Sequence, residues 1–150
     1  MPQSLANILL HIIFSTKNRA PWIPADIEPE LHPYFASICR AHGCPTHEIG
    51  GTEDHIHLVC SLARTTTVSS LLEEIKGSSS KWIKTKGQRY AGFSWQAGYG
   101  AFSIGQSQLD GVKKYIAGQR EHHRRKTFQE EFREFLAKYQ VQYDERFVWD

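Results

Sequence analysis

At 150 residues, 40% hydrophobic and 23% charged, the chain falls among ordinary globular sequences, long enough for one domain with a buried core and too apolar for a disordered tail. The formal net charge of +2 cannot by itself argue for a nucleic-acid partner, which has to be read from where the charge lies. The apolar run Ile8 to Phe14 is broken by His11 and is too short for a membrane span or a signal peptide. Cys39, Cys44 and Cys60 are odd in number and lack a framework spacing, so they are expected to be reduced thiols of a cytoplasmic protein.

Leu5 to Ser15 reads as a central strand. Its even positions, Ala6 to Phe14, form an apolar face, and His11 and Ser15 lie on a mixed one. After a loop over Lys17 to Pro24, a helix runs to about His42, with Leu31, Phe35, Ile38 and Cys39 inward. Pro33 suggests that its regular part begins near that residue, and Gly43 suits its C-terminal cap. Pro45 to Gly50 and His55 to Leu62 read as two strands joined by a turn over Gly51 to Asp54. Thr67 can cap a helix with a stripe through Val68, Leu71, Leu72, Ile75, Ser79, Trp82 and Ile83, and Gly77 to Ser80 leave room for another backbone.

Tyr99 to Ile104 is the fourth strand. Ser107 and Asp110 resemble the start of a capping box for a helix carrying Tyr115 and Gln119, and Thr127 and Glu130 begin a last helix with Phe132, Phe135, Leu136 and Tyr139 inward. The order β-α-β-β-α-β predicts a ferredoxin-like α+β fold, a four-stranded antiparallel sheet with two helices on one face, followed by the tyrosine helix and a final helix. Residues 1–150 are expected to form one domain.

Two strings carry the chemistry. In Glu53-Asp54-His55-Ile56-His57-Leu58-Val59 a strand points both imidazoles to one face while Ile56 faces the core. In this topology that is the face left open by the helices, shared with His11. In Tyr115-Ile116-Ala117-Gly118-Gln119, residues four apart are neighbours on a helix, beside the stripe Leu109, Val112 and Ile116. Together they offer three neutral metal ligands and a hydroxyl nucleophile, a set suited to metal-assisted attack on a phosphodiester. Two basic runs flank them, one through Lys76, Lys81, Lys84, Lys86 and Arg89, the other from Arg120 to Lys126; they suit a backbone-binding groove. In the second run His122 and His123 read as phosphate-facing or structural rather than as ligands.

With Trp95-Gln96, Gly98-Tyr99-Gly100-Ala101-Phe102-Ser103, His122-His123 and Phe128-x-x-Glu131-Phe132 added, the chain resembles the single-tyrosine HUH transposases of small peel-and-paste bacterial insertion sequences. The resemblance implies Tyr115 as nucleophile and His55, His57 and Gln119 as ligands of Mg2+ or Mn2+. It also implies single-stranded DNA with hairpin ends as substrate, a 5′-phosphotyrosine intermediate, and a homodimer in which one subunit's tyrosine helix can complete the other's site. Lys17, Arg19, Lys76, Lys81 and Arg120 are the candidate DNA contacts. No membrane partner and no nucleotide cofactor are expected.

Three rivals share parts of this pattern. A metal-free phosphoesterase using His-x-His-x-His meets Val59 at the third position. A ferredoxin-like RNA-binding module stacks bases on aromatic residues of its central strands, where this chain has histidines. A domesticated or inactive relative would keep hairpin binding without cleavage.

Overall fold

The computed structural model describes residues 2–150. Its sheet is antiparallel, in the order β2-β3-β1-β4, formed by β1 (Leu9–Ser15), β2 (Thr46–Gly51), β3 (His55–Ser61) and β4 (Gly100–Ile104). Helices α1 (Glu28–Ala41) and α2 (Val68–Lys84) cover one face. Their apolar stripes meet Leu10, Ile12, Phe14, Ile56, Leu58 and Cys60 in the main core. This is the expected α+β, ferredoxin-like arrangement.

β1 is shorter than its apolar run. Its ladder ends at Leu9, opposite Ser61 on β3 and Ile104 on β4; beyond it the Ile8 carbonyl accepts the Leu62 N–H at 2.7 Å, and the Leu5 and Ile8 side chains are exposed. Pro33 lies inside α1 rather than at its start; Pro29 takes the first turn, where a missing N–H costs nothing. Gly43 adopts φ 72° just past the helix end, a left-handed conformation that suits glycine at this cap. Thr67 caps α2, its side chain accepting the Ser70 N–H. No backbone approaches Gly77; instead Ser79 Oγ accepts the buried Trp95 indole N–H at 2.9 Å. Cys39, Cys44 and Cys60 are unpaired and buried, and burial pushes the Cys39 and Cys60 thiols up to about 12, opposite to what a thiolate metal ligand requires.

The second sheet face is not open. The chain after β4 folds back over it as α3 (Leu109–Ala117), the short α4 (Gln119–His122) and α5 (Phe128–Lys138). Ile13 and Phe102 pack with Phe128, Phe132 and Leu136, while Leu9, Val59 and Ile104 pack with Ile116. These apolar residues alternate with the histidines on one face, and leaving them in water would forfeit roughly 1.5–3 kcal/mol each. The last helices therefore close the face and bury His11, His55 and His57.

α3 sits against β2 through Gly50, where an added Cβ would lie 2.3 Å from the Ile116 carbonyl oxygen. Gly50→Ala is expected to lower unfolding free energy by about 1–3 kcal/mol by forcing α3 off the strand. Gly77→Ala, in open space on α2, should raise it by about 0.5–1 kcal/mol. Urea denaturation of the pair checks both signs.

Candidate active site

β3 aims His55 and His57 at the ground enclosed by α3, α4 and α5, and each imidazole is held from behind. His55 Nδ1 lies 2.7 Å from Asp54 Oδ1 and 2.9 Å from Thr52 Oγ1. His57 Nδ1 lies 2.8 Å from His11 Nε2. Both Nε2 atoms therefore face inward. Burial works against ionisation of Asp54, but its hydrogen bonds to His55 and Thr52 outweigh this and hold its carboxyl below the usual range. As a carboxylate it accepts the hydrogen bond of His55 Nδ1–H, which leaves the lone pair on Nε2. That lone pair faces the Gln119 carbonyl oxygen at 3.1 Å, an acceptor against an acceptor. The Gln119 amide N–H groups point the other way, toward the Tyr115 carbonyl and Glu131 Oε2.

Tyr115 and Gln119 meet as expected, although α3 ends at Gly118 and Gln119 begins α4. The N-terminal approach to α3 is closed by the Gln108 side chain accepting the Gly105 N–H at 2.7 Å, in place of Ser107 and Asp110. The two strings come together within one chain.

The residue that joins them is Glu131 on α5. Its Oε1 accepts from His57 Nε2 at 2.8 Å and lies 4.0 Å from His55 Nε2. Its Oε2 accepts the Tyr115 hydroxyl and lies 3.4 Å from His122 Nε2. His123 Nε2 is shielded and lies 3.1 Å from Oε1, close enough to interact with the carboxylate but misaligned for a good hydrogen bond. Ligand atoms of His55, His57, His123 and Glu131 all lie within 4.8 Å of one another. Around an ion with bonds of about 2.1 Å, ligand atoms sit no more than about 4.2 Å apart, so small inward shifts suffice. A misaligned shielded nitrogen, two opposed acceptors and a buried carboxylate fit a divalent cation at this point.

Electrostatics agree. Burial lowers His57 to about 4 even with Glu131 beside it, and burial, with His57, lowers His11 to about 3. Both rings are neutral at physiological pH, the state a metal ligand needs. Burial opposes the charge on Glu131 too, but His123, His57 and the Tyr115 hydroxyl outweigh it and hold it far below the usual carboxylate range. Burial and then the Glu131 charge raise the Tyr115 phenol above its ordinary value, so it is a protonated hydroxyl in the metal-free protein. Because His11 and His57 bind protons less readily folded than unfolded, stability falls as pH drops below about 6.5. The loss is up to about 1.4 kcal/mol per pH unit for each ring until its folded value is reached. Melting temperature should decline between pH 7 and pH 5, and more gently in His11→Asn.

Neither Glu131 nor His123 was marked as a ligand by the sequence reading. One signal was there: Phe128, Glu131, Phe132 and Phe135 are spaced i, i+3, i+4, i+7, which places a charged residue within a buried stripe. The basic candidates scatter. Lys17 and Lys81 are exposed, Lys81 on α2 behind the opposite sheet face. Lys76, on the same helix, is tied down: its ammonium donates to the carbonyls of Gln96, Ala97 and Gly98 and lies over the Phe14 and Tyr99 rings. Burial lowers it to about 8. It fastens the loop before β4 and has no free ammonium for phosphate. Arg19 donates to the Trp149 carbonyl, and Arg120 pairs with Glu28 at 2.6 Å. Beside Tyr115 opens a cleft of about 500 Å³ lined by His11, Val112, His122, Phe135 and Tyr139.

A ferredoxin-like sheet whose His-x-His pair faces a tyrosine helix resembles the HUH arrangement of single-tyrosine transposases. A family model described as "Transposase IS200 like" matches residues 4–119, and the chain belongs to that family. The match stops at Gln119, before His122, His123 and Glu131. No curated protein matches by sequence. Among solved structures, the chain is similar to a presumptive transposase from Deinococcus radiodurans R1, with a TM-score of 0.62 and 17% identity over 79% of this chain and 98% of that one. It is also similar to a REP-associated tyrosine transposase bound to a REP hairpin, with a TM-score of 0.60 and 14% identity over 82% and 72% of the two chains. At these identities the likeness establishes the fold. No helix among the described residues is long and apolar enough to cross a membrane.

Proposed function

We propose that this chain, acting as one domain over residues 1–150, cleaves and rejoins single-stranded DNA through a 5′-phosphotyrosine intermediate, recognising hairpins at the ends of its element in the cytoplasm. The observation that carries the reading is that Glu131 joins the Tyr115 hydroxyl to His57 Nε2, beside the 3.1 Å pair of His55 Nε2 and the Gln119 carbonyl oxygen. A bound Mg2+ or Mn2+ would polarise the scissile phosphate and stabilise the leaving oxygen. His55, His57 and Gln119 would hold it, with Asp54, Thr52 and His11 fixing the imidazoles behind.

Tyr115 Oη attacks phosphorus in line, the P–O3′ bond breaks, and the strand leaves with a free 3′-hydroxyl. The phenol proton has Glu131 Oε2 as its acceptor. Bond energy is kept in the phosphotyrosine, so a second 3′-hydroxyl can reverse the step without a nucleotide cofactor. The cleft beside Tyr115 lies where the strand would enter. The homodimer that the resemblance implies is not needed to bring the tyrosine to the histidines, since both come from one chain. Aromatic stacking of RNA on the sheet has no free face to use, because α3 and α5 cover it.

The test is to incubate the protein with single-stranded DNA from its genomic flanks and Mg2+ or Mn2+, then map any adduct by peptide mass. A DNA-linked peptide containing Tyr115, lost on adding EDTA, is the expected result; metal-independent cleavage would move the assignment to the phosphoesterase class.

A further inference from the structure

We propose that the metal site of this chain extends beyond the strand pair to His123 and Glu131, and that Glu131 ties the ion to the nucleophile, one oxygen on the metal and the other on Tyr115. This deepens the function proposed above and rests on it.

Three observations carry it. His123 Nε2 is shielded from solvent, and its neighbour Glu131 Oε1, at 3.1 Å, is misaligned for a good hydrogen bond. A buried nitrogen in so poorly aligned a contact would gain a full partner from a bound cation. The two oxygens of Glu131 face different partners: Oε1 faces His57, His123 and His55, and Oε2 faces Tyr115, His122 and Gln119. One side of the carboxylate is thus turned to the ligand atoms and the other to the nucleophile. The third observation is chemical. Two imidazoles and an amide form a neutral set, whereas hard divalent ions favour carboxylate oxygen, and Glu131 is the buried carboxylate among the ligand atoms.

Ion binding requires a proton shift that the site can accommodate. In the metal-free chain His57 Nε2–H donates to Glu131, so His57 Nδ1 accepts from His11 Nε2–H. When His57 Nε2 takes the ion, both rings change tautomer: the His57 proton moves to Nδ1 and is donated to His11 Nε2 across the same 2.8 Å contact, and the His11 proton moves to its own Nδ1. His11 is then a positioning residue for either tautomer.

The test is titration with Mn2+ alone, followed by calorimetry, on the wild-type chain and on Glu131→Gln, His123→Ala and His57→Ala, each checked for folding by circular dichroism. Loss of a ligand should weaken Mn2+ binding about ten- to a hundredfold in Glu131→Gln and in His123→Ala. Wild-type affinity in either folded variant overturns the extended site. At saturating Mn2+, Glu131→Gln should still form the DNA adduct more slowly than wild type, because Tyr115 has lost its anchor; an unchanged rate overturns the link to the nucleophile. Should a variant not fold, electron spin-echo modulation of Mn2+ on the wild-type chain counts the coordinated imidazoles: three support His123 and two overturn it. If wild type binds no Mn2+, the metal-dependent reading itself falls; if only His57→Ala loses affinity, that reading stands and the extension fails.

Discussion

Tyr115→Phe is expected to abolish the covalent DNA adduct, by about 10⁴-fold or more, while hairpin binding persists. Only the hydroxyl is removed, and the ring keeps its edge contacts with His11, His57, His122 and Phe135. The cost in stability is about 1–3 kcal/mol, the worth of one hydrogen bond to a charged group, here the one to Glu131 Oε2. Denaturing gels with end-labelled DNA read the adduct, and gel shift reads binding. Adduct formation at the wild-type rate would place the nucleophile elsewhere. Tyr139, which also lines the cleft, stacks on Phe102 and Phe135.

His57→Ala should have the second largest effect, because His57 is a proposed ligand as well as a link in the buried chain from His11 to Glu131. Removing it takes one Nε2 from the ion, leaves His11 Nε2 without its partner and strips Glu131 Oε1 of a donor. Metal-dependent cleavage should vanish, and unfolding free energy should fall by about 3 kcal/mol. Domains of this size have about 5–15 kcal/mol in hand, so the variant should remain folded at 25 °C. Cleavage assays with Mg2+ and urea melts measure the two effects separately. Normal cleavage by a folded variant would put the metal site elsewhere.

Periodicity exposed most of the fold. The alternation Ile56, Leu58, Cys60 against His55, His57 assigns β3 its two faces, and the sheet obeys it. The stripe of α2 and the caps at Thr67 and Thr127 likewise stand where their chemistry places them. Local pattern is silent where an outcome depends on a distant partner. β1 stops at Leu9 because its neighbours stop, which its own apolar run could not reveal. Lys76 resembled a groove lysine, yet three carbonyls twenty residues further along the chain claim its ammonium. The face taken as open is closed by helices whose apolar stripes were visible but whose destination was not.

For the site, the residues themselves determined the ingredients. A His-x-His on a strand must present two parallel imidazoles, and a tyrosine four residues before a glutamine must share a helix face with it, because side-chain direction is set by local backbone geometry. The tertiary structure decided what these ingredients meet. It brought Tyr115 to the histidines within one chain, buried them, and set Glu131 and His123 between them across 74 residues of sequence from His57 to Glu131. Such a meeting depends on how α5 packs over Ile13 and Phe102, and long-range packing leaves no local period in the chain from which it could be read.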